Sequence, residues 1–215
     1  MAQAAPRKDS AGDASTRERM LDVALDAFAE LGYDGASTRT IAGRAGVNQG
    51  LIPYYFGTKE KLWREAVDRA FGEMATELGD VFGDDPPPPR ERLERLIRGT
   101  VRFVGRRPAF AQLMSDEGKR DSPRMRWIVD HHVRPTFETL AEMIEETASA
   151  LKLPPDTDPL HVYYIMVGAV TQLFHQSAEF RRLSGRRPTD SAVIEAHADA
   201  LVALFVGPPK RRKKS

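Results

Sequence analysis

Apolar residues recur along most of this chain at intervals of three and four positions, the spacing that places side chains on one face of an α-helix. The first such stretch covers residues 16–31, and Gly32 follows it, where a helix commonly ends. The alternation of apolar and polar positions that is typical of β-strands is absent. The pattern therefore predicts an all-α fold.

Two short helices are predicted after the first one. Ser37 or Thr38 can cap a helix that ends at Gly46, where the chain needs a positive φ. Asn48 can cap the next helix, and Lys59 begins a long one. Two short helices joined by a tight turn that contains glycine form a helix-turn-helix, so we expect this motif in the N-terminal third.

Changes in composition divide the chain into four segments. The run DDPPPP at residues 84–89 breaks any helix and serves as a stiff connector within the third of them. The last segment carries the consecutive basic residues KRRKK. We expect a disordered arm over residues 1–14, a helix-turn-helix domain over 15–62, a helical domain over 63–206 and a disordered basic tail over 207–215.

The composition is that of a folded globular protein, since 41% of the 215 residues are hydrophobic and 29% are charged. The apolar runs are far shorter than the roughly 18 residues of a membrane span, and residues 1–16 lack the apolar core of a secretory signal. Cysteine is absent, which excludes disulfide frameworks and thiolate metal sites and fits a reducing compartment. We therefore expect a cytoplasmic protein with no membrane partner.

The net charge of +1 conceals a local excess of cations in the helix-turn-helix. Residues 36–63 hold a single acid, Glu60, against four basic residues: Arg39, Arg44, Lys59 and Lys61. The apolar positions expected to form the small core of this segment are Ile41, Ala45, Val47, Ile52 and Phe56. This segment is therefore suited to meet an anion such as DNA.

Four side chains are expected to point outward near the start of the second short helix: Asn48, Gln49, Leu51 and Tyr54. In a helix-turn-helix the side chains of this region reach base edges in the major groove. An Asn or Gln amide can bind adenine, an arginine can bind guanine and a leucine can touch a thymine methyl group. Lys59, the free N–H groups of its helix and the tyrosine hydroxyls suit backbone phosphates.

Residues 16–71 resemble the tetracycline-repressor (TetR-like) transcription regulators, most specifically in the segment A-G-V-x-x-G-x-I-x-x-Y-F-x-x-K-E-x-L. The resemblance implies an all-α homodimer with an N-terminal DNA-binding domain and a C-terminal domain that holds an inducer and forms the dimer. Matched by position, Arg39 and Gln49 fall where family members read bases. The positions that hold phosphates in the family match Thr38, Tyr54, Tyr55 and Lys59.

Pro53 departs from the family's pattern, which usually has an aromatic or another helix-compatible residue there. A proline in a helix interior costs about 3 kcal/mol and also disfavours α geometry at the preceding residue, here Ile52. We therefore expect the recognition helix to begin later than Gln49 or to be bent.

The C-terminal domain contains large apolar side chains and a few polar ones on mostly apolar helices, as an inducer cavity between helices would. Most of these residues are also compatible with an ordinary core. The candidates for the effector pocket are Phe71, Met74, Phe103, Phe110, Met114, Trp127, His131, Phe137, Tyr163, Gln172 and His175.

The last two helices carry apolar stripes with small residues that permit close helix approach, which suggests a four-helix bundle between two copies of the chain. The alternative is that both helices pack only within one subunit. The residues expected at the dimer interface are Tyr164, Gly168, Thr171, Ile194, Ala198, Leu201 and Phe205.

No catalytic motif or phosphate-binding loop is present, so no cofactor or metal is expected. A less favoured alternative is a metal site built from His131, His161 or His175 with Asp130 or Glu179. The sequence predicts a ligand-responsive repressor that binds a palindromic operator as a homodimer and is released by a small-molecule effector. The alternatives are a ligand-independent DNA-binding or architectural protein and, less favoured, an all-α enzyme.

Overall fold

The computed structural model describes residues 11–83, 85–148, 153, 154 and 156–207, and within these ranges all regular structure is helical. The chain divides into two compact units, the first ending at Ala70 and the second beginning at Phe71. The division lies later than the boundary predicted at residue 62. Residues 1–10 of the expected arm, and the expected tail from residue 208 onward, lie outside the described residues.

The first unit is built from four helices, of which the fourth continues into the second unit: α1 (Ala11–Gly35), α2 (Thr38–Ala45), α3 (Leu51–Phe56) and α4 (Lys59–Leu78). Helix α1 includes residues 11–14, which the sequence assigned to the arm, and its regular geometry is interrupted at Gly32, where φ is 69°. Ser37 caps α2 because its Oγ accepts a hydrogen bond of 3.0 Å from the Thr40 N–H. Gly46 ends α2 in the left-handed conformation, as predicted.

The core of the first unit joins α1, α2, α3 and the first turns of α4. Four of the five predicted core residues are buried, and Val47 is half-buried. Trp63 and Phe56 are fully buried and are the largest side chains of this core. Burial of the apolar face holds the six-residue α3 in place, because so short a helix is unstable by itself.

The second unit contains seven further helices: α5 (Pro89–Arg106), α6 (Pro108–Gly118), α7 (Pro123–Ile128), α8 (Arg134–Thr147), α9 (Pro159–His175), α10 (Ser177–Ser184) and α11 (Ser191–Phe205). A 3₁₀ turn over Gly79–Phe82 follows α4, and a π-helical turn over Val129–Val133 separates α7 from α8. Prolines begin several of these helices, where the missing N–H has no helical partner to lose. Among the described residues, no helix is both long and apolar enough to cross a membrane.

Helix α11 packs closely against α5 within the chain. A Cβ atom on Gly105 would lie 2.5 Å from Cδ1 of Ile194, so the two helices approach without room for a side chain. Arg102 forms two hydrogen bonds, of 2.7 and 2.8 Å, with the Glu195 carboxylate across the same pair of helices. This packing buries one face of α11 inside the subunit.

Three residues predicted at the dimer interface belong to that buried face, which corrects their assignment. Ile194, Ala198 and Leu201 are 7%, 0% and 6% exposed in the single chain. The periodicity correctly predicted that this stripe is buried, but its partner is α5 of the same subunit. The alternative reading, packing within one subunit, therefore holds for these positions.

Candidate nucleic-acid interface

Helix α3 begins at Leu51, and the turn before it is held by Asn48. The Asn48 side chain accepts a hydrogen bond of 2.8 Å from the Gly50 N–H. Asn48 thus closes a turn two residues ahead of it, as asparagine commonly does, and the position that directly precedes α3 is Gly50. Its amide oxygen is engaged in this turn, although the residue itself is exposed.

Pro53 is accommodated because it lies in the first turn of α3. A residue there needs no helical partner for its N–H. The Gln49 carbonyl, which an N–H at position 53 would otherwise reach, accepts a hydrogen bond of 3.2 Å from Ile52. The recognition helix therefore begins later than Gln49, as Pro53 predicts.

The side chains predicted to read bases differ in their exposure. Arg39 and Gln49 are exposed, whereas Leu51 is half-buried. Arg39 makes no ion pair or hydrogen bond with the residues that the structure describes, while Arg44 of the same helix is 2.7 Å from Glu30. The hydrogen bond from Arg44 holds the pKa of Glu30 below its usual value. Arg39 is thus available to an external anion, and Arg44 is already paired.

The side chains predicted to hold phosphates lie at the ends of α2, α3 and α4. Tyr54 is 76% exposed, and its ring meets the half-buried Tyr55 edge-on at 5.0 Å. Thr38 is half-buried in the first turn of α2. Their hydroxyl groups are donors of the kind that binds DNA phosphates.

Lys59 opens α4 and is held close to the end of α1. Its Nζ lies 4.5 Å from the centre of the Tyr33 ring and 3.5 Å from the Asp34 carbonyl oxygen. The Thr58 hydroxyl accepts a hydrogen bond of 3.1 Å from the Lys61 N–H. A positioned ammonium group beside a helix N-terminus suits a phosphate oxygen.

Ion pairs connect α1 to α4 behind this surface. Arg17 is bonded to Glu65 and also lies over the ring of Phe56, 5.4 Å from its centre. Arg69 lies 3.6 Å from Asp22. These contacts hold the long helices against each other, and α3 is anchored to them through Phe56.

Five aromatic side chains form a cluster in the second unit, four of them predicted for the effector pocket. The Phe110 ring lies 5.0 Å from Phe71 and 5.2 Å from Phe103. His132 stacks on Phe71 at 4.2 Å and meets Trp127 edge-on at 5.3 Å. His132 therefore contacts two of the four predicted pocket residues in this cluster.

Of the remaining pocket candidates, His131 is joined to this cluster, because its ring stacks on Trp127 at 5.0 Å. Phe137 pairs with Tyr163 at 5.5 Å, and burial raises the pKa of the Tyr163 hydroxyl. Gln172 is exposed, and so is His131, whose Nδ1 lies 2.9 Å from the Trp127 carbonyl oxygen. Met74 and Met114 are half-buried.

His175 is the candidate with an unsatisfied polar atom. Its Nε2 is buried and has no hydrogen-bond partner among the described residues. A buried polar atom of this kind costs free energy unless a ligand or water satisfies it. No group of three or more His, Asp or Glu residues in the described part of the chain could hold a metal ion.

The other residues predicted at the dimer interface remain at the surface. Tyr164 and Gly168 are exposed on α9, whereas Thr171 and Phe205 are half-buried. Sequence reasoning missed two large exposed residues, Ile165 at 60% and Leu204 at 79%. For Leu204 the sequence contains a signal, because small residues recur on α11 beside it. These residues are all exposed: Ala192, Ala196, Ala200 and Ala203.

The first unit thus has the geometry of a helix-turn-helix DNA-binding protein, with α3 as its recognition helix. The pattern described as "Bacterial regulatory proteins, tetR family" matches residues 20–66. The pattern described as "Tetracyclin repressor-like, C-terminal domain" matches residues 89–204. The chain belongs to the tetR family of bacterial regulatory proteins, whose members are DNA-binding transcriptional regulators and not enzymes.

Individual relatives agree with this assignment. The transcriptional repressor KstR2 of Mycolicibacterium smegmatis is 26% identical over 156 residues, which are 70% of this chain and 73% of that protein. The regulator BetI of Stenotrophomonas maltophilia is 28% identical over 83 residues, so the match spans 39% of this chain and only 42% of BetI. The structure of AibR in complex with isovaleryl coenzyme A and operator DNA has a TM-score of 0.70 at 19% identity, covering 90% of this chain and 99% of that one. This last likeness concerns the fold.

Proposed function

We propose that this protein represses transcription by binding a palindromic operator as a homodimer and leaves it when a small-molecule effector binds. It acts where the DNA is, in the bacterial cytoplasm. The observation that carries the DNA-binding part is the exposed surface formed by Arg39, Gln49 and Tyr54 around a recognition helix with a buried inner face. Arg39 and Gln49 supply base contacts, and Tyr54, Thr38 and Lys59 supply phosphate contacts.

A homodimer is supported by the apolar residues that the single chain leaves exposed on α9 and α11. Tyr164, Ile165 and Leu204 are large and exposed, and Gly168 permits close helix approach. Two copies joined there would share an isologous interface. Such a dimer binds two half-sites about 34–36 Å apart, one turn of the DNA helix.

The aromatic cluster supports an effector site in the second unit. Phe71 belongs to α4, whose first residue, Lys59, faces the DNA in this proposal. An effector that displaces Phe71 or His132 would move α4 and change the spacing of the recognition helices. The ligand acts through its different affinities for the bound and free forms. AibR, which shares the fold, was crystallised with both a ligand and operator DNA.

The experiment starts with selection of bound fragments from the source genome, followed by measurement of affinity for the recovered site. We expect Arg39→Ala to weaken specific binding about tenfold or more, because one base contact contributes about 1–3 kcal/mol. Arg182→Ala, which removes another exposed arginine, is the matched control and should bind normally. If Arg39→Ala keeps both affinity and sequence preference, the proposed base contact is wrong.

The ligand-responsive part is tested separately with the recovered operator. A metabolite panel should contain at least one compound that lowers operator affinity and raises the thermal stability of the protein. If operator affinity stays constant with every compound that binds, the ligand-independent alternative is correct.

A further inference from the structure

A cavity of about 290 Å³ lies on the second unit, and its lining differs from the set of residues predicted for the effector pocket. None of those eleven residues lines it. Phe174 and Pro188 are buried and form its apolar floor. The complete lining consists of Pro108, Phe174, Ser177, Ala178, Arg181, Arg187, Pro188 and Thr189.

The rim of this cavity is cationic. Residues 181–187 contain four arginines and no acidic residue, and Arg181 and Arg187 are the two that line the cavity. The Arg181 guanidinium has no ion-pair or hydrogen-bond partner in the described part of the chain. Arg187 is held by Asp190, because the Asp190 carboxylate accepts hydrogen bonds of 3.0 Å from the Nε and the backbone N–H of Arg187.

The arginines of the second unit are otherwise largely paired. Arg98, Arg102, Arg106 and Arg107 each bond to a carboxylate of another helix. Arg120, Arg181 and Arg182 have no carboxylate partner among the described residues, and of these three only Arg181 lines the cavity. A cation of this kind, with the hydroxyls of Ser177 and Thr189 nearby, is suited to an anionic group of a ligand.

We propose that this cavity binds a small molecule that joins a carboxylate or phosphate group to a short apolar chain. Arg181 and Arg187 bind the anionic group of the ligand, and its apolar chain lies on Phe174 and Pro188. The volume of this cavity is at the lower end for small-molecule sites, so the apolar chain of the ligand is short. A DNA phosphate would need the arginines but not the apolar floor, which is why a small amphipathic anion is the better occupant.

The test measures binding of octanoate to the full-length protein by calorimetry. 1-Octanol is the probe with an apolar chain and no charge, and acetate is the probe with the charge and no long apolar chain. We expect octanoate to bind more tightly than either. Arg181→Gln should weaken octanoate binding up to about fivefold, because an exposed charge contact is worth up to about 1 kcal/mol. Arg182→Gln is the matched control on the same helix, outside the cavity, and should bind like the native protein.

Two further measurements locate the bound probe. Ala178→Phe should abolish octanoate binding by filling the cavity, and the methyl signal of Ala178 in labelled native protein should shift during the titration. The proposal is overturned if octanoate does not bind, if octanol binds equally well, or if Arg181→Gln and Arg182→Gln behave alike. It is also overturned if Arg181→Gln weakens operator binding instead of octanoate binding. None of these results would affect the role proposed for Arg39.

Discussion

The surface around α3 in the first unit and the surface of α9 and α11 in the second unit differ in chemical character. Around α3 the first unit exposes polar groups, and Arg39 there has no partner among the described residues. On α9 and α11 the second unit exposes large apolar groups such as Ile165 and Leu204, while Arg102 of α5 is paired with Glu195 of α11. An exposed cation without a partner favours an external anion, whereas exposed apolar area favours another protein surface. The comparison separates arginines that hold the fold from arginines that are available for binding.

The largest effect is expected when a substitution destabilises one unit and leaves the other folded. Phe56→Ala removes a fully buried ring from the first unit, and a cavity of this kind costs about 3–5 kcal/mol of the free energy of unfolding. We expect loss of DNA binding, while the second unit stays folded and dimeric. The two tryptophans report on the units separately, because Trp63 lies in the first and Trp127 in the second.

Urea unfolding followed by fluorescence should be recorded in Trp127→Phe and Trp63→Phe backgrounds. The Trp63 signal should change at lower urea in Phe56→Ala, and the Trp127 signal should not. Tyr54→Ala is the control, since this residue is largely exposed and its loss should affect DNA binding but not the unfolding midpoint. Equal shifts of both signals would show that the units unfold together.

The second prediction concerns the apolar surface. Leu204→Glu would place a charge at the centre of the proposed homodimer interface, once from each copy by symmetry. We expect the dissociation constant of the dimer to rise about a hundredfold, roughly 2.7 kcal/mol, because a buried unpaired charge is costly. Sedimentation measures this change. Leu183→Glu is the matched control at an equally exposed leucine of α10, and an equal effect of both variants would exclude the proposed interface.

The assignment of Ile194 to the core gives the third prediction. Gly105→Ala places a methyl group against Ile194 and should destabilise the second unit by about 1 kcal/mol, since the overpacking cost outweighs the gain in helix propensity. The unfolding midpoint of the Trp127 signal measures this. Gly118→Ala, where a methyl group meets open space, should not destabilise. Ile194→Val should partly rescue Gly105→Ala, and a lack of rescue would contradict the proposed contact.

These residues also show how far sequence reasoning reaches. Local features were predictable, because they follow from neighbouring residues. They include the end of α2 at Gly46, the start of α3 later than Gln49, and the buried face of α3. The partner of a buried stripe was not predictable, because periodicity shows which face is buried but not what covers it. Ile194 packs on Gly105, far away in sequence, and was therefore assigned to the wrong interface.

The candidate sites show the same limit. The exposure of Arg39 and Gln49 follows from the helix-turn-helix pattern, and so was predictable. The stacking of His132 on Phe71 depends on tertiary packing, as does the cavity beside Arg181. Asn48 was placed in the correct turn, but its amide holds the Gly50 N–H two residues ahead of it, a detail that spacing alone does not distinguish from a helix cap.

The smallest expected effect concerns the paired arginines themselves. The hydrogen bonds from Arg102 hold the pKa of Glu195 below its usual value. A carboxylate with a lowered pKa in the folded state stabilises the fold above its unfolded pKa, and this contribution is lost as the pH falls through the folded-state pKa. In Arg102→Gln the pKa of Glu195 in the folded state moves closer to its value in the unfolded state, because the hydrogen bonds from Arg102 are the largest cause of the lowered pKa. The free energy of unfolding of the native protein should therefore exceed that of this variant by a constant amount near neutral pH. This difference should shrink in acid.

The difference should stay below about 1 kcal/mol, because both side chains are partly exposed and solvent screens them. Urea unfolding of both proteins between about pH 7 and pH 3 measures it, over the range where glutamates titrate. Arg120→Gln is the control, because Arg120 is exposed and has no side-chain partner in the described part of the chain. A stability difference for Arg102→Gln that does not change with pH would mean that its side chain acts by packing and not by its charge. Arg39→Ala should show no such pH dependence, since the native Arg39 stabilises no carboxylate that is described in this fold.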